Sequence, residues 1–217
     1  MRSFSYSVSH DLRAPLRAIE GFSRILVEDY AESLDPEGKR FLEHIVQSTQ
    51  VMGELIEGLL AYHRLNEKPL SKVPVDLTDL AREALTNSAR PPASPEVKLP
   101  RLPTVKADPV LLRALLEQLV SNALKFSKRQ PKQIIEFGTT PCDGECIFWV
   151  KDNGVGFDMR YSDKLFQVFQ KLQKEPDFPG AGIGLALVRR IAERHHGRVW
   201  AEAEPDKGAT FFVALPN

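Results

Sequence analysis

Lys151-Asp152-Asn153-Gly154-Val155-Gly156-Phe157 sets a carboxylate and two closely spaced glycines at the end of an apolar run. Residues 145–151 read as a strand and residues 133–140 as its partner, with Asp143-Gly144 as the hairpin turn between them. A carboxylate directly after a buried strand is costly unless it is paired. Asp152 is therefore either the acid of a plain Asp-Asn-Gly turn or an acceptor for an adenine amino group. Gly154 and Gly156 allow positive φ and a close backbone approach.

Upstream, residues 109–127 have the spacing of a helix, with Leu111, Leu112, Leu115, Leu119 and Leu124 on its apolar side. Asn122 and Lys125 lie three apart and share a polar face. An amide oxygen suits Mg2+, which also takes phosphate oxygens, and a lysine meets phosphate as a point charge. The plainer alternative is a solvated helix face.

Downstream, Gly180-Ala181-Gly182-Ile183-Gly184-Leu185 precedes a helix over 183–196 that Gly197 stops. Such a loop can offer backbone N–H groups to phosphates, helped by the helix N-terminus. The pattern is weak alone, because no strand precedes it as a dinucleotide fold requires. Residues 164–177 read as a mobile lid, with Phe166 and Phe169 as hinge anchors or ordinary core aromatics. Residues 198–203 and 209–215 read as a closing strand pair. In the turn between them, Thr210 either reaches a base through water or simply opens a strand.

A short strand over 71–75 and a helix over 77–88 come earlier. Pro91, Pro92, Pro95, Pro100 and Pro103 make residues 91–104 loop and short extended pieces. Strands on one face and helices on the other give an α+β two-layer sandwich.

The first 66 residues differ. Phe4, Val8, Leu12, Leu16, Ile19, Phe22 and Leu26 mark a helix over 3–30, in which Pro15 is expected to make a kink just after His10. Residues 31–37 form a break, where Asp35 can cap and Pro36 suits the first helical position. A second helix follows over 36–65, lined by Phe41, Ile45, Met52, Leu55, Ile56, Leu59 and Leu60. An antiparallel all-α hairpin results. Two helices cannot enclose a core, so two copies are expected to form a dimeric four-helix bundle. The domains expected are 1–66 and 67–217.

A lone helical histidine is usually structural or merely exposed. His10 has Asp11 beside it, and a carboxylate can hold one ring nitrogen protonated and leave the other a neutral nucleophile.

Lys+Arg and Asp+Glu are 29 each in 217 residues, so the formal charge is zero. That argues against a generally basic nucleic-acid binder. No apolar run approaches the roughly 20 residues of a membrane span, and no basic start leads an apolar stretch at the N-terminus. A cytoplasmic chain without direct membrane contact is expected, either free or as the soluble end of a longer membrane protein. Cys142 and Cys146 have no other Cys or His nearby in the sequence and read as reduced thiols flanking a turn rather than a metal pair.

Each motif is modest, but their order is specific. His10, Asn122, the Asp152–Gly156 run, Phe166 with Phe169, Gly180–Gly184 and Gly208-Ala209-Thr210 together resemble the conserved boxes of bacterial sensor histidine kinases. The likeness covers essentially the whole chain. Residues 1–66 resemble the dimerisation and histidine phosphotransfer domain. The remainder resembles the GHKL (Bergerat) ATP-binding domain shared with gyrase, Hsp90 and MutL. The Ser9–Ile19 run is most similar to kinases that follow PAS or phytochrome-type sensors.

The resemblance implies roles. His10 would accept the γ-phosphoryl group of ATP, with Asp11 as base. Asn122 would hold Mg2+, and Lys125 and Lys171 would meet phosphate. Asp152 would read adenine, Gly154 and Gly156 would shape its pocket, and Gly180, Gly182 and Gly184 would belong to the lid, with Thr210 near the base. A response regulator receiver domain would dock near Leu16, Ile19 and the second helix and take the phosphoryl group on an aspartate. An upstream sensor, absent from this chain, would feed the first helix.

Two positions depart from the pattern. Gln118 stands where many relatives carry a second Asn. Ala14 stands where bifunctional relatives often carry Thr or Asn to position a hydrolytic water, and alanine has no side-chain hydrogen bond to offer. Weak regulator phosphatase activity is expected. The alternatives are another ATPase of the same superfamily, which needs no His10-Asp11 helix, and a degenerate kinase serving as a dimeric scaffold.

Overall fold

The structure is a computed structural model. It describes residues 2–65, 69–88, 95–142, 144–172, 178 and 180–216, and within these all side chains except those of residues 2–11, 31 and 61–64. The side chains of His10 and Asp11, the start of the linker at 66–68, Asp143 and the lid residues 173–177 lie outside the described set.

Helices α1 (Arg2–Asp29) and α2 (Pro36–Arg64) form the hairpin, joined through a 3-10 turn at Ala31–Ser33. Helical structure continues without a break through Pro15. Asp35 Oδ1 accepts the Gly38 N–H at 2.7 Å, capping α2 as expected. Among the described residues the hairpin's own core is small: Leu16, Ile56 and Leu60. Leu16 is thus turned inward, whereas Ile19 beside it is 49% exposed. Phe22, Phe41, Ile45 and Met52 are also exposed.

The second part is built from β1 (Val73–Asp76), α3 (Leu77–Ser88), β2 (Glu96–Lys98), β3 (Thr104–Ala107), α4 (Pro109–Phe126), β4 (Ile134–Cys142), β5 (Glu145–Asp152), α5 (Gly184–Arg194), β6 (Arg198–Glu204) and β7 (Gly208–Pro216). A five-stranded sheet has the order β2-β4-β5-β7-β6; β2 runs parallel to β4 and the other neighbours are antiparallel. β1 and β3 form a separate antiparallel pair.

The proline-rich stretch holds the short extended pieces expected of it: β2, and at Thr104 the first residue of β3, each held by a distant partner strand. Two details differ from the sequence reading. The first strand begins at Val73 rather than residue 71, because the Ser71 N–H is taken by Asp108 Oδ2 at 3.1 Å. Gly197 is not the left-handed residue that ends α5; His196 is, at φ 64°. Gly197 is small because a β-carbon there would lie 2.1 Å from the Ala214 carbonyl oxygen of β7.

Asp108 caps α4 by accepting the Val110 and Leu111 N–H groups, and Pro109 follows at the first turn. Leu112, Leu115, Leu116 and Leu119 of α4 are fully buried in the same core as Ile135, Phe148, Val150 and Val213 of the sheet. At roughly 2 kcal/mol for each large apolar side chain, that face dominates the sandwich's stability. On the other face Trp200 and Phe212 stack, centroids 5.0 Å apart. The ring of Trp149 lies over Gly138, where a β-carbon would sit 2.1 Å from it.

Candidate functional site

Asp152 ends β5 and is only 3% exposed. Its Oδ1 accepts the Gly154 N–H at 2.8 Å. Burial pushes its carboxyl up to about 6, against the opposing pull of the Gly154 and Ala209 N–H groups. The loop beyond it is laced to two other elements. The Val155 N–H reaches the Phe126 carbonyl at the end of α4, and the Val155 carbonyl takes the Asp206 N–H from the β6–β7 turn. Gly156 has φ +58°, and a β-carbon there would lie 2.1 Å from the Glu204 carbonyl oxygen. Asn153 is structural: its Oδ1 accepts the Ile134 N–H and its Nδ2 donates to the Lys132 carbonyl, both at 2.9 Å.

A cavity of about 580 Å³ opens between this loop, α4 and the glycine-rich loop. Asp152, Gly156 and Phe157 line one part of it; Asn122 and Lys125 enter from α4; Lys171, Gly180, Gly182 and Gly184 complete it. The structure thus brings together most of the residues singled out in the sequence. Gly154 sits behind the wall, beneath Asp152. Thr210 does not line the cavity. Strand alternation gives that face to Ala209 and Phe211, so the expected contact of Thr210 with a base finds no support.

Lys125 is half-buried, with its Nζ 4.7 Å from the centre of the Phe126 ring. Burial lowers its pKa, the positive charges of Lys171 and Lys128 add to this, and Glu54 opposes it. A site that crowds cations together in this way is prepared for an anion. In the glycine loop, the Phe169 N–H donates to the Gly182 carbonyl at 2.9 Å with Phe169 at φ 66°. Phe169 is 52% exposed, whereas Phe166 packs against the core, so Phe166 is the anchor of the two.

The sequence reading passed over four participants. Phe178, 1% exposed, meets Phe126 at 5.2 Å and carries Lys128 and Arg129 over its ring. Glu54, Glu57 and Gly58 of α2 also line the cavity. Gly58 is a notch: a β-carbon there would lie 2.6 Å from Ile183 Cδ1. The departure at Gln118 has a local outcome, since its Oε1 would be 2.5 Å from a β-carbon on Gly184.

A buried acceptor in one part, cations and glycines in another, and a volume within the usual range for small ligands fit an adenine nucleotide. Among the described residues no group of three His, Cys, Asp or Glu could hold a metal ion. The amide of Asn122 suits a Mg2+ whose other ligands are phosphate oxygens and water.

Residues 1–68 match the family described as His Kinase A (phospho-acceptor) domain, and residues 107–217 match the family described as histidine kinase-, DNA gyrase B-, and HSP90-like ATPase. The chain belongs to the sensor histidine kinases. It carries the phospho-acceptor and ATP-binding domains of that family in their usual order. Cyanobacterial phytochrome A of Nostoc sp. strain PCC 7120 is 32% identical over 218 residues, covering all of this chain and 28% of that protein. The methanogenesis regulatory histidine kinase FilI of Methanothrix harundinacea is 34% identical over 220 residues, covering all of this chain and 25% of that protein. This kinase core thus spans under a third of the length of these curated relatives. Full-length ShkA, solved in complex with AMPPNP, superposes with a TM-score of 0.68 at 27% identity, over all of this chain and 46% of that one. Among the described residues no helix is long and apolar enough to cross a membrane.

Proposed function

We propose that this kinase core transfers the γ-phosphoryl group of ATP to His10 and then to an aspartate of a response regulator. The observation that carries this reading is the cavity in which Asp152, Asn122, Lys125 and the glycine loop converge, in a chain that also contains a phospho-acceptor helix. Asp152 accepts from the adenine amino group, the Gly154 N–H holds its carboxylate from behind, and Gly156 lets the backbone approach the base. Lys125 and Lys171 meet the phosphates, and Asn122 contributes to Mg2+. Gly180, Gly182 and Gly184 let the lid close over them. Mg2+, when bound with ATP, would neutralise phosphate charge.

An imidazole nitrogen of His10 forms the new P–N bond as the bond from the γ-phosphorus to the bridging oxygen of ADP breaks. The proton lost from the ring passes to Asp11. Most of the catalysis is positioning and charge neutralisation. We divide the chain into a phosphotransfer domain, 1–66, and a catalytic domain, 67–217. Two copies bury the exposed stripe of Phe22, Phe41, Ile45 and Met52 in a four-helix bundle. A receiver domain docks by Ile19 and α2. The core works in the cytoplasm behind a sensor.

The test is incubation with γ-labelled ATP and Mg2+ beside a His10→Gln variant. Acid-labile, alkali-stable label on the parent alone supports the reading. Label that persists on the variant assigns the wrong acceptor. No label despite ATP binding favours a scaffold.

A further inference from the structure

The nucleotide cavity has a wall that the catalytic domain does not supply. Glu54, Glu57 and Gly58 all belong to α2, the second helix of the phosphoacceptor hairpin. The helix comes this close because Gly58 has no side chain to strike Ile183, the residue between Gly182 and Gly184 of the lid loop. Four residues earlier, one turn along the same face, is Glu54.

Its carboxylate is directed at the cationic region. A β-carbon built on Gly180 would lie 3.0 Å from Lys125 Nζ and 3.9 Å from Glu54 Oε2, so the ammonium and the carboxylate flank the same glycine. Glu54 is also the acid that opposes Lys171 and Lys128 in acting on Lys125. A carboxylate facing a lysine across a glycine-rich loop occupies the ground that phosphate oxygens would take.

We propose that Glu54 is an internal competitor for the phosphate subsite: with α2 docked through the Gly58–Ile183 notch, its carboxylate stands in for phosphate and restrains ATP binding. This rests on the reading that ATP binds in this cavity. Phosphates and Glu54 repel, so ATP entry and α2 docking oppose each other. By linkage the two free energies are reciprocal: whatever draws α2 away tightens ATP binding, and ATP loosens α2. Adenosine, which has no phosphates, would not sense the carboxylate.

The test is calorimetric titration of the whole chain and its Glu54→Gln variant with ATP and, separately, with adenosine. The variant should bind ATP about 3- to 10-fold more tightly, with adenosine affinity unchanged. A Gly58→Val variant, which wedges α2 away from Ile183, should gain ATP affinity in the same direction with Glu54 intact. Unchanged or weaker ATP binding by Glu54→Gln would overturn the proposal, as would an equal gain for adenosine. Failure of all the proteins to bind ATP would remove the functional reading itself, and this inference with it.

Discussion

His195 Nε2 accepts the backbone N–H of Asp108 at 3.0 Å, which fastens the end of α5 to the start of α4. The other ring nitrogen lies 2.8 Å from the Ile191 carbonyl. Only the neutral ring with its proton on Nδ1 serves both contacts. The ring is 2% exposed, and it contributes to the packing that holds the helix layer against the sheet.

Acid should therefore loosen this joint. Burial lowers the His195 pKa below its ordinary 6.5, Lys72 and Arg194 add to the effect, and the Ile191 carbonyl and Asp108 carboxylate oppose it. The unfolded chain then binds a proton that the folded one refuses. The stability contribution is full above 6.5, declines as pH falls below that value, and levels off beneath the folded pKa. Urea midpoints between about pH 8 and about pH 5 should fall more steeply for the parent than for His195→Gln. Equal slopes would count against the neutral-ring assignment.

Asp152→Asn separates stability from ligand recognition. The amide oxygen can keep the Gly154 N–H, but its NH2 would then face the adenine amino group, donor against donor. ATP affinity should drop about 10- to 100-fold, the cost of an unpaired buried group. The free protein should move the other way. A folded pKa raised from 3.8 to about 6 means stability is lost as pH rises through that interval. Removing the carboxylate can return at most roughly 3 kcal/mol at neutral pH. A variant with unchanged nucleotide affinity would show that Asp152 does not contact the base.

Two glycines with positive φ should respond very differently to alanine. At Gly144, φ +79°, no atom lies within 4 Å of the added carbon. The cost is backbone strain alone, about 1 kcal/mol. At Gly208, φ +94°, the carbon would meet the Asp152 carbonyl oxygen at 2.0 Å. Strain there adds to a collision that displaces β5 from β7, and the loss should exceed about 3 kcal/mol. Thermal melts of the two variants decide this, and similar shifts would contradict the geometry.

Ala14 is exposed on α1. Its methyl group cannot orient a water, so phosphorylated regulator should persist in the presence of this kinase. Ala14→Thr should raise regulator dephosphorylation about 10-fold or more. A fast parent phosphatase, or no gain in the variant, would refute the idea.

Local signals carried much of the architecture. The leucine spacing of α4 over 109–127 placed that helix within a residue at its far end. The Asp152–Gly156 run and the alternating glycines were visible as candidates because each needs unusual backbone geometry. What escaped depends on partners distant in sequence. β2 is three residues long and exists through its pairing with β4. Phe178 drew no reading from the sequence, because nothing near it in the chain records that Phe126 lies beside it. Glu54 and Gly58 read as ordinary positions of an amphipathic helix, because nothing within α2 records that Ile183 packs against it. The two readings of Thr210 stayed open for a simpler reason: a strand has two faces, and the motif does not say which one looks into the cavity.

The two hydrophobic cores are very unequal. The sandwich's core reaches from Leu65 to Leu215, while the described hairpin core is Leu16, Ile56 and Leu60. If a second copy completes the hairpin's core, the folding free energy of α1 and α2 is in part an association free energy and carries protein concentration in its logarithm. Dilution would then melt the helices at a lower temperature and leave the sandwich transition where it was. In a cell, copy number and whatever holds two chains side by side would set how well formed the helix bearing His10 is, before any nucleotide arrives.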